Sequence, residues 1–117
     1  MTLEEFYRSM GVDVDEVINR FAGEERTVKY LRKFLDDTTY EALLRAFEKG
    51  DEEEAFRAAH TLKGIALNLS FTPLYQESRN LAELLRGGKN RLADVERPLE
   101  EVKREYGEVT AKISSFL

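Results

Sequence analysis

The chain has 117 residues with 42% hydrophobic and 35% charged side chains, a composition and length that suit one domain, residues 1–117, with a single hydrophobic core. It contains no cysteine, which excludes disulfides, thiol nucleophiles and the usual structural zinc sites. Its net charge of −5 disfavours nucleic-acid and anionic-membrane partners, and no segment approaches the roughly 18 apolar residues of a membrane span.

Periodic apolar residues predict helices from the amino terminus onward, and no segment alternates as a strand would. Two short helices are predicted within residues 1–11 and 12–23, each with an N-terminal capping signal and a closing glycine. One long helix is predicted over residues 24–50, with a bend near Asp37 and a new capping box that begins at Thr38.

Three further helices are predicted in the second half of the chain. Asp51 is expected to cap the first, and Thr72, followed by Pro73, the second. The last helix carries a 4-3-4-3 apolar seam: Val95, Leu99, Val102, Tyr106, Val109, Ile113 and Phe116. Short connections favour antiparallel neighbours. The sequence therefore predicts an all-α fold, an antiparallel four-helix bundle of residues 24–117 preceded by a helical extension of residues 1–23.

The stretch "AHTLKGIALNLSF" holds the only histidine of the chain, His60, together with Lys63 and Gly64. On a helical wheel, the apolar residues around it form one stripe: Ala55, Ala58, Ala59, Leu62, Ile65, Ala66 and Leu69. His60 lies about 160° from the centre of that stripe, at roughly 100° per residue. We therefore expect its imidazole to face solvent.

The neighbours of His60 indicate what an exposed imidazole could do here. Side chains on a helix lean toward its amino terminus, so a side chain at position 64 would cover the approach to the ring, and Gly64 leaves that approach open. Lys63 lies one turn away and can neutralise an anion on the imidazole. An accessible nucleophile, an open approach and a cation favour phosphoryl transfer, which depends mainly on positioning and charge neutralisation.

Four more residues near His60 are candidates for contact with a partner. The wheel places Phe56 and Leu67 about 120° and 140° from the core stripe, with Glu53 and Arg57 on the same outer face. Burial by neighbouring helices of this chain is the alternative for the two apolar residues. The acidic residues that begin at Asp51 are explained by helix capping, and no metal site is predicted.

The motif "AHTLKG" followed by "ALNLSF" resembles the signature of histidine-containing phosphotransfer (HPt) domains. The resemblance covers residues 28–88, including the turn "KGD" and the Ala-Ala pair before the histidine. It implies a four-helix bundle in which His60 accepts a phosphoryl group, Lys63 stabilises it and Gly64 permits docking. Ser70 stands where the family commonly has a second glycine, and we expect it to shift local packing without removing the chemistry.

The resemblance also implies partners: a sensor histidine kinase, and response-regulator receiver domains that exchange the phosphoryl group through an aspartate. Any Mg²⁺ would belong to the receiver, and no cofactor is expected on this chain. We expect a cytoplasmic monomer that acts as a phosphoryl carrier and has no turnover of its own. The alternative is a helical adaptor of the same fold that binds a partner without phosphotransfer.

Overall fold

The computed structural model describes all 117 residues, which form seven α-helices and two short 3-10 turns with no strand. The all-α prediction is confirmed. The helices are α1 (Leu3–Arg8), α2 (Val14–Arg20), α3 (Glu24–Asp36), α4 (Thr39–Lys49), α5 (Glu52–Asn68), α6 (Thr72–Leu85) and α7 (Glu96–Phe116). The 3-10 turns, Arg86–Gly88 and Leu92–Val95, connect α6 to α7. No helix combines the length and the apolar character needed to cross a bilayer.

The structure is an elongated bundle of 41 × 21 × 20 Å. It has four arms: α3 together with α4, then α5, α6 and α7. Helix α5 packs between α4 and α6, and α6 packs on α7. The bundle closes where Tyr106 of α7 meets Phe34 of α3 and Tyr40 of α4, at ring-centroid distances of 5.6 and 3.7 Å. The predicted four-helix bundle is therefore present, with α3 and α4 sharing one arm.

The first arm differs from its prediction, because two helices replace one bent helix. Asp37 separates α3 from α4 with extended backbone angles, φ −69° and ψ 138°. Its Oδ1 accepts a 2.8 Å hydrogen bond from the backbone N–H of Thr39. An aspartate that binds the backbone two residues ahead competes with the helical pattern. The capping box predicted at Thr38 is wrong, since the Thr38 side chain makes no capping hydrogen bond.

The N-terminal extension is built into the core. Phe6 and Tyr7 of α1 are fully buried, and so is Val17 of α2. The predicted capping box of α1 is present, with Thr2 and Glu5 each accepting a hydrogen bond from the other's backbone N–H at 3.1 Å. Helices α1 and α2 therefore belong to the same hydrophobic core as the bundle.

The starts of α5 and α6 are set in different ways. Asp51 caps α5 as predicted, because its Oδ1 accepts a 3.0 Å hydrogen bond from the backbone N–H of Glu54. The predicted cap at Thr72 is wrong: Phe71 occupies the N-cap position of α6, and no side chain caps that helix. The ring of Phe71 is fully buried, and Pro73 lies in the first turn as predicted, so packing and the proline together set the start of α6.

Candidate functional site

His60 lies in the middle of α5 and is exposed, as the wheel predicts. Most of the predicted core stripe is buried on the opposite side of the helix: Ala55, Ala58, Ala59, Leu62, Ala66 and Leu69. Ile65 is only half-buried, because it lines a shallow groove with Tyr30 and Phe34 of α3. The amphipathic pattern of α5 therefore presents the imidazole to solvent.

Gly64 is an exposed glycine in the interior of α5. A Cβ placed there would meet no other atom within 4 Å. The packing of the chain therefore does not require a glycine at this position, although glycine weakens a helix by about 1 kcal/mol relative to alanine. What Gly64 does provide is open space one turn after His60.

The cations near His60 differ in how they are paired. Lys63 is half-buried and has no carboxylate within ion-pair distance. Arg57, in contrast, contacts Glu53 at 3.5 Å and Glu54 at 2.7 Å. The positive charge of Lys63 is therefore available to an incoming anion, whereas that of Arg57 is partly neutralised.

The two apolar candidates occupy different surroundings. The half-buried ring of Phe56 lies nearly parallel to the His60 imidazole, with centroids 5.8 Å apart and an interplanar angle of 14°. Leu67 is 57% exposed and lies about 10 Å farther along the helix axis, at 1.5 Å per residue. It lines a cleft of about 430 Å³ between α2 and α6, with Arg20 and Tyr75. The structure thus brings Phe56, but not Leu67, next to the imidazole.

The turn that follows α6 contributes a residue that the sequence reasoning missed. The guanidinium carbon of Arg86 lies 5.3 Å from the centroid of the Phe56 ring. Nε of Arg86 also donates a 3.2 Å hydrogen bond to Glu83, whose carboxylate lies 3.5 Å from Nζ of Lys89. The hydrogen bond from Arg86 is the main cause that lowers the pKa of Glu83. The only sequence signal was a cation followed by two glycines.

Residues of the N-terminal extension form hydrogen bonds with the C-terminal end of α5. The hydroxyl of Tyr7 donates a buried 2.9 Å hydrogen bond to the carbonyl of Leu69. Arg20 donates to the carbonyl of Asn68 at 2.7 Å and to Oγ of Ser70 at 2.9 Å. Burial raises the pKa of Tyr7 above its ordinary value of 10.0, so its hydroxyl keeps its proton and can donate in alkaline as well as neutral solution. These contacts satisfy carbonyls that α5 leaves without partners at its end.

Ser70 has a left-handed backbone, with φ 60°. The N–H of Phe71 bonds to the carbonyl of Ala66 at 2.9 Å across it, which is a helix-terminating turn that usually places glycine at this point. A non-glycine residue in this region costs about 1–2 kcal/mol. The hydrogen bond from Arg20 partly offsets that cost for serine.

The family model described as "Hpt domain" matches residues 29–112 of the chain. No curated protein and no solved structure gave a match. The matched segment runs from α3 into α7, so it contains α5 with His60, Lys63 and Gly64, and it leaves α1 and α2 outside. Because the match covers most of a helical bundle that exposes its one histidine, this chain belongs to the Hpt domain family, whose members are phosphocarrier modules of histidine phosphotransfer in phosphorelays.

Proposed function

We propose that His60 accepts a phosphoryl group from the phospho-aspartate of a response-regulator receiver domain and passes it to another response regulator. The observation that carries this proposal is the surroundings of the imidazole. The ring is exposed, its approach is open over Gly64, and the unpaired Lys63 lies one turn away. Family membership supports the general reaction, and these residues support the choice of acceptor.

A neutral imidazole needs to lose no proton before it attacks. A lone pair on a ring nitrogen of His60 forms the N–P bond while the O–P bond of the receiver's acyl phosphate breaks, and the aspartate leaves as a carboxylate. The ring's other nitrogen keeps its N–H, which solvent can deprotonate afterwards. Mg²⁺ held by the receiver would neutralise charge from the donor side. Lys63 neutralises charge from the acceptor side. His60 returns to its unmodified form when it passes the phosphoryl group on.

The outer face of α5 is the proposed contact surface for the receiver. Phe56 offers a half-buried aromatic ring beside the imidazole, and Leu67 offers an exposed apolar side chain two turns farther on. Arg57 and Glu53 form an exposed ion pair on the same face and would lie in a polar rim around these contacts. Apolar anchors surrounded by polar residues are typical of protein interfaces.

The direct test is transfer from a receiver domain that carries labelled phospho-aspartate, in the presence of Mg²⁺. We expect label on this chain that is stable in base and labile in acid, and no label on His60→Gln. The substitution is at an exposed position, so a circular dichroism spectrum equal to that of the wild type serves as the folding control. Label that persists on His60→Gln would identify another acceptor. A receiver that binds the wild type without transferring label would favour the adaptor.

A further inference from the structure

We propose that Arg86 forms a second phosphoryl-binding subsite at His60, and that Glu83 holds this arginine until the phosphoryl group arrives. The inference rests on His60 being the acceptor, as proposed above. It adds a cation from the end of α6 to Lys63 of α5. The phosphoryl group would then be contacted from two helices.

The distances place Arg86 one aromatic ring from the imidazole. Its guanidinium carbon lies over Phe56 at 5.3 Å from the ring centroid, and the same ring is stacked with His60 at 5.8 Å. A phosphoryl group on the exposed imidazole extends outward from this cluster. The side chain of Arg86 is long and half exposed, so it is free to turn toward such a group.

The backbone holds Arg86 beside α5. Helix α6 ends at Leu85, and Arg86 has extended angles, φ −57° and ψ 130°. Gly87 and Gly88 follow with φ of 62° and 72°, a left-handed region that favours glycine. This turn contacts α5. The two glycines therefore reverse the chain at the point that places Arg86 against Phe56.

Arg86 is only partly engaged in the unmodified protein. It donates to Glu83 through Nε alone, so its terminal nitrogens make no hydrogen bond within the chain. The side chains of Arg86 and Glu83 are 50% and 59% exposed, and ion pairs with that exposure are weak because solvent screens them. A phosphoryl group has up to two negative charges and accepts two parallel hydrogen bonds from a guanidinium. It therefore competes well with Glu83 for Arg86.

The test phosphorylates His60 with a chemical donor and then measures the pKa of the attached phosphoryl group. Phosphoramidate supplies the group: its P–N bond breaks, ammonia leaves, and the new N–P bond forms on the imidazole. Titration followed by ³¹P NMR then gives the pKa of the bound phosphoryl group. Removing a nearby cation makes the dianion less favourable, so Arg86→Gln is expected to raise this pKa by about half a unit.

Two controls separate the subsite from general electrostatics. Arg104 and Glu101 on α7 form an ion pair with the same i,i+3 spacing, and Arg104→Gln is expected to leave the phosphoryl pKa unchanged. Glu83→Gln is expected to lower the pKa, since it frees Arg86 and removes a negative charge. In the Arg86→Gln background the same change should lower it less, because no arginine remains to be released.

An Arg86→Gln variant whose phosphoryl pKa equals that of the wild type would overturn the subsite, even if transfer from a receiver were normal. The chemical loading step needs no receiver. A raised pKa in Arg86→Gln, combined with no transfer from any receiver, would therefore support the subsite and count against the proposed function. The two proposals can fail independently.

Discussion

At the scale of single residues, two glycines in similar surroundings allow access to the imidazole to be tested separately from helix stability. Gly64 of α5 and Gly107 of α7 both lie inside helices, both are exposed, and a Cβ at either would meet nothing within 4 Å. Only Gly64 lies one turn after His60. Gly107 therefore provides a matched control for any effect that glycine has on the helix alone.

We expect Gly64→Leu to reduce phosphotransfer at least about tenfold, because the added side chain would lie over the approach to the imidazole. Gly107→Leu should leave transfer unchanged. Both substitutions should raise the free energy of unfolding by about 0.5–1 kcal/mol, since leucine is a better helix former than glycine. Transfer rates from a phosphorylated receiver and urea denaturation check these outcomes. Normal transfer by Gly64→Leu would refute the role given to this glycine.

The sequence predicted the direction of His60 but not the position of Arg86, and the reason is physical. The angle of His60 depends on the helical repeat of its own segment, which can be read from apolar spacing. The place of Arg86 depends on the left-handed backbone of Gly87 and Gly88 and on how α6 packs against α5. Neither of these leaves a periodic signal. A cation from a neighbouring helix could therefore be found only in three dimensions.

At the scale of helices, the end of α5 depends on a hydrogen bond from α1. We expect Tyr7→Phe to lower the free energy of unfolding by about 1–2 kcal/mol, because the buried carbonyl of Leu69 loses its donor. Tyr75→Phe on α6 is the matched control, since the Tyr75 hydroxyl makes no hydrogen bond within the chain. Urea denaturation measures both. Equal stability of Tyr7→Phe and wild type would show that water replaces the hydroxyl at no cost.

Helix boundaries and buried faces were predictable where the sequence offered one capping or spacing signal. They were less predictable where several polar residues could each cap the helix. The seam of α7 and the cap at Asp51 follow from spacing and from a single aspartate before a helix. The segment "DDTT" contains several polar residues that can each bind the backbone, and Asp37, not Thr38, made the capping contact. Asp36, Asp37, Thr38 and Thr39 all have side-chain oxygens that can accept such a bond, so the sequence offers several equivalent candidates. Which of them makes the contact cannot be read from the order of residues.

At the scale of the whole molecule, a buried carboxylate on α7 makes stability depend on pH. Glu105 is only 8% exposed. Its pKa is raised above the ordinary value of 4.5 chiefly by burial, and Glu108 and Glu77 raise it further. Arg104 at 3.2 Å and Lys112 act in the opposite direction. The folded state therefore binds a proton at Glu105 more tightly than the unfolded chain does.

We expect Glu105→Gln to stabilise the protein at neutral pH. A raised pKa favours folding below the unfolded pKa, and that contribution is lost as the pH rises through the folded pKa. The gain from glutamine should therefore be absent in acid and appear as the pH increases above about 4.5. Urea denaturation across this range measures it, with exposed Glu100→Gln as the control. A gain that is the same in acid and at pH 7 would contradict this account.

The overall fold was predictable because helical spacing runs through nearly the whole chain. The part played by the first two helices was not, since short amphipathic helices have the same pattern whether they cap a bundle or enter its core. In the structure Phe6 meets Phe71 at 5.9 Å, at the point where α5 turns into α6. The extension, which lies outside the family match, therefore helps to fix the helix that carries His60.

Helix α1 and the last turns of α7 lie against each other. Phe6 near one terminus lies 5.4 Å from Phe116 near the other, and Lys112 donates a hydrogen bond to Ser9 at 3.2 Å. A short linker that joined these two segments would therefore cost little entropy, because only a brief loop would be closed. Circular permutation is consequently open to this protein, and new termini could be introduced at an exposed turn such as Gly50 without dividing the core.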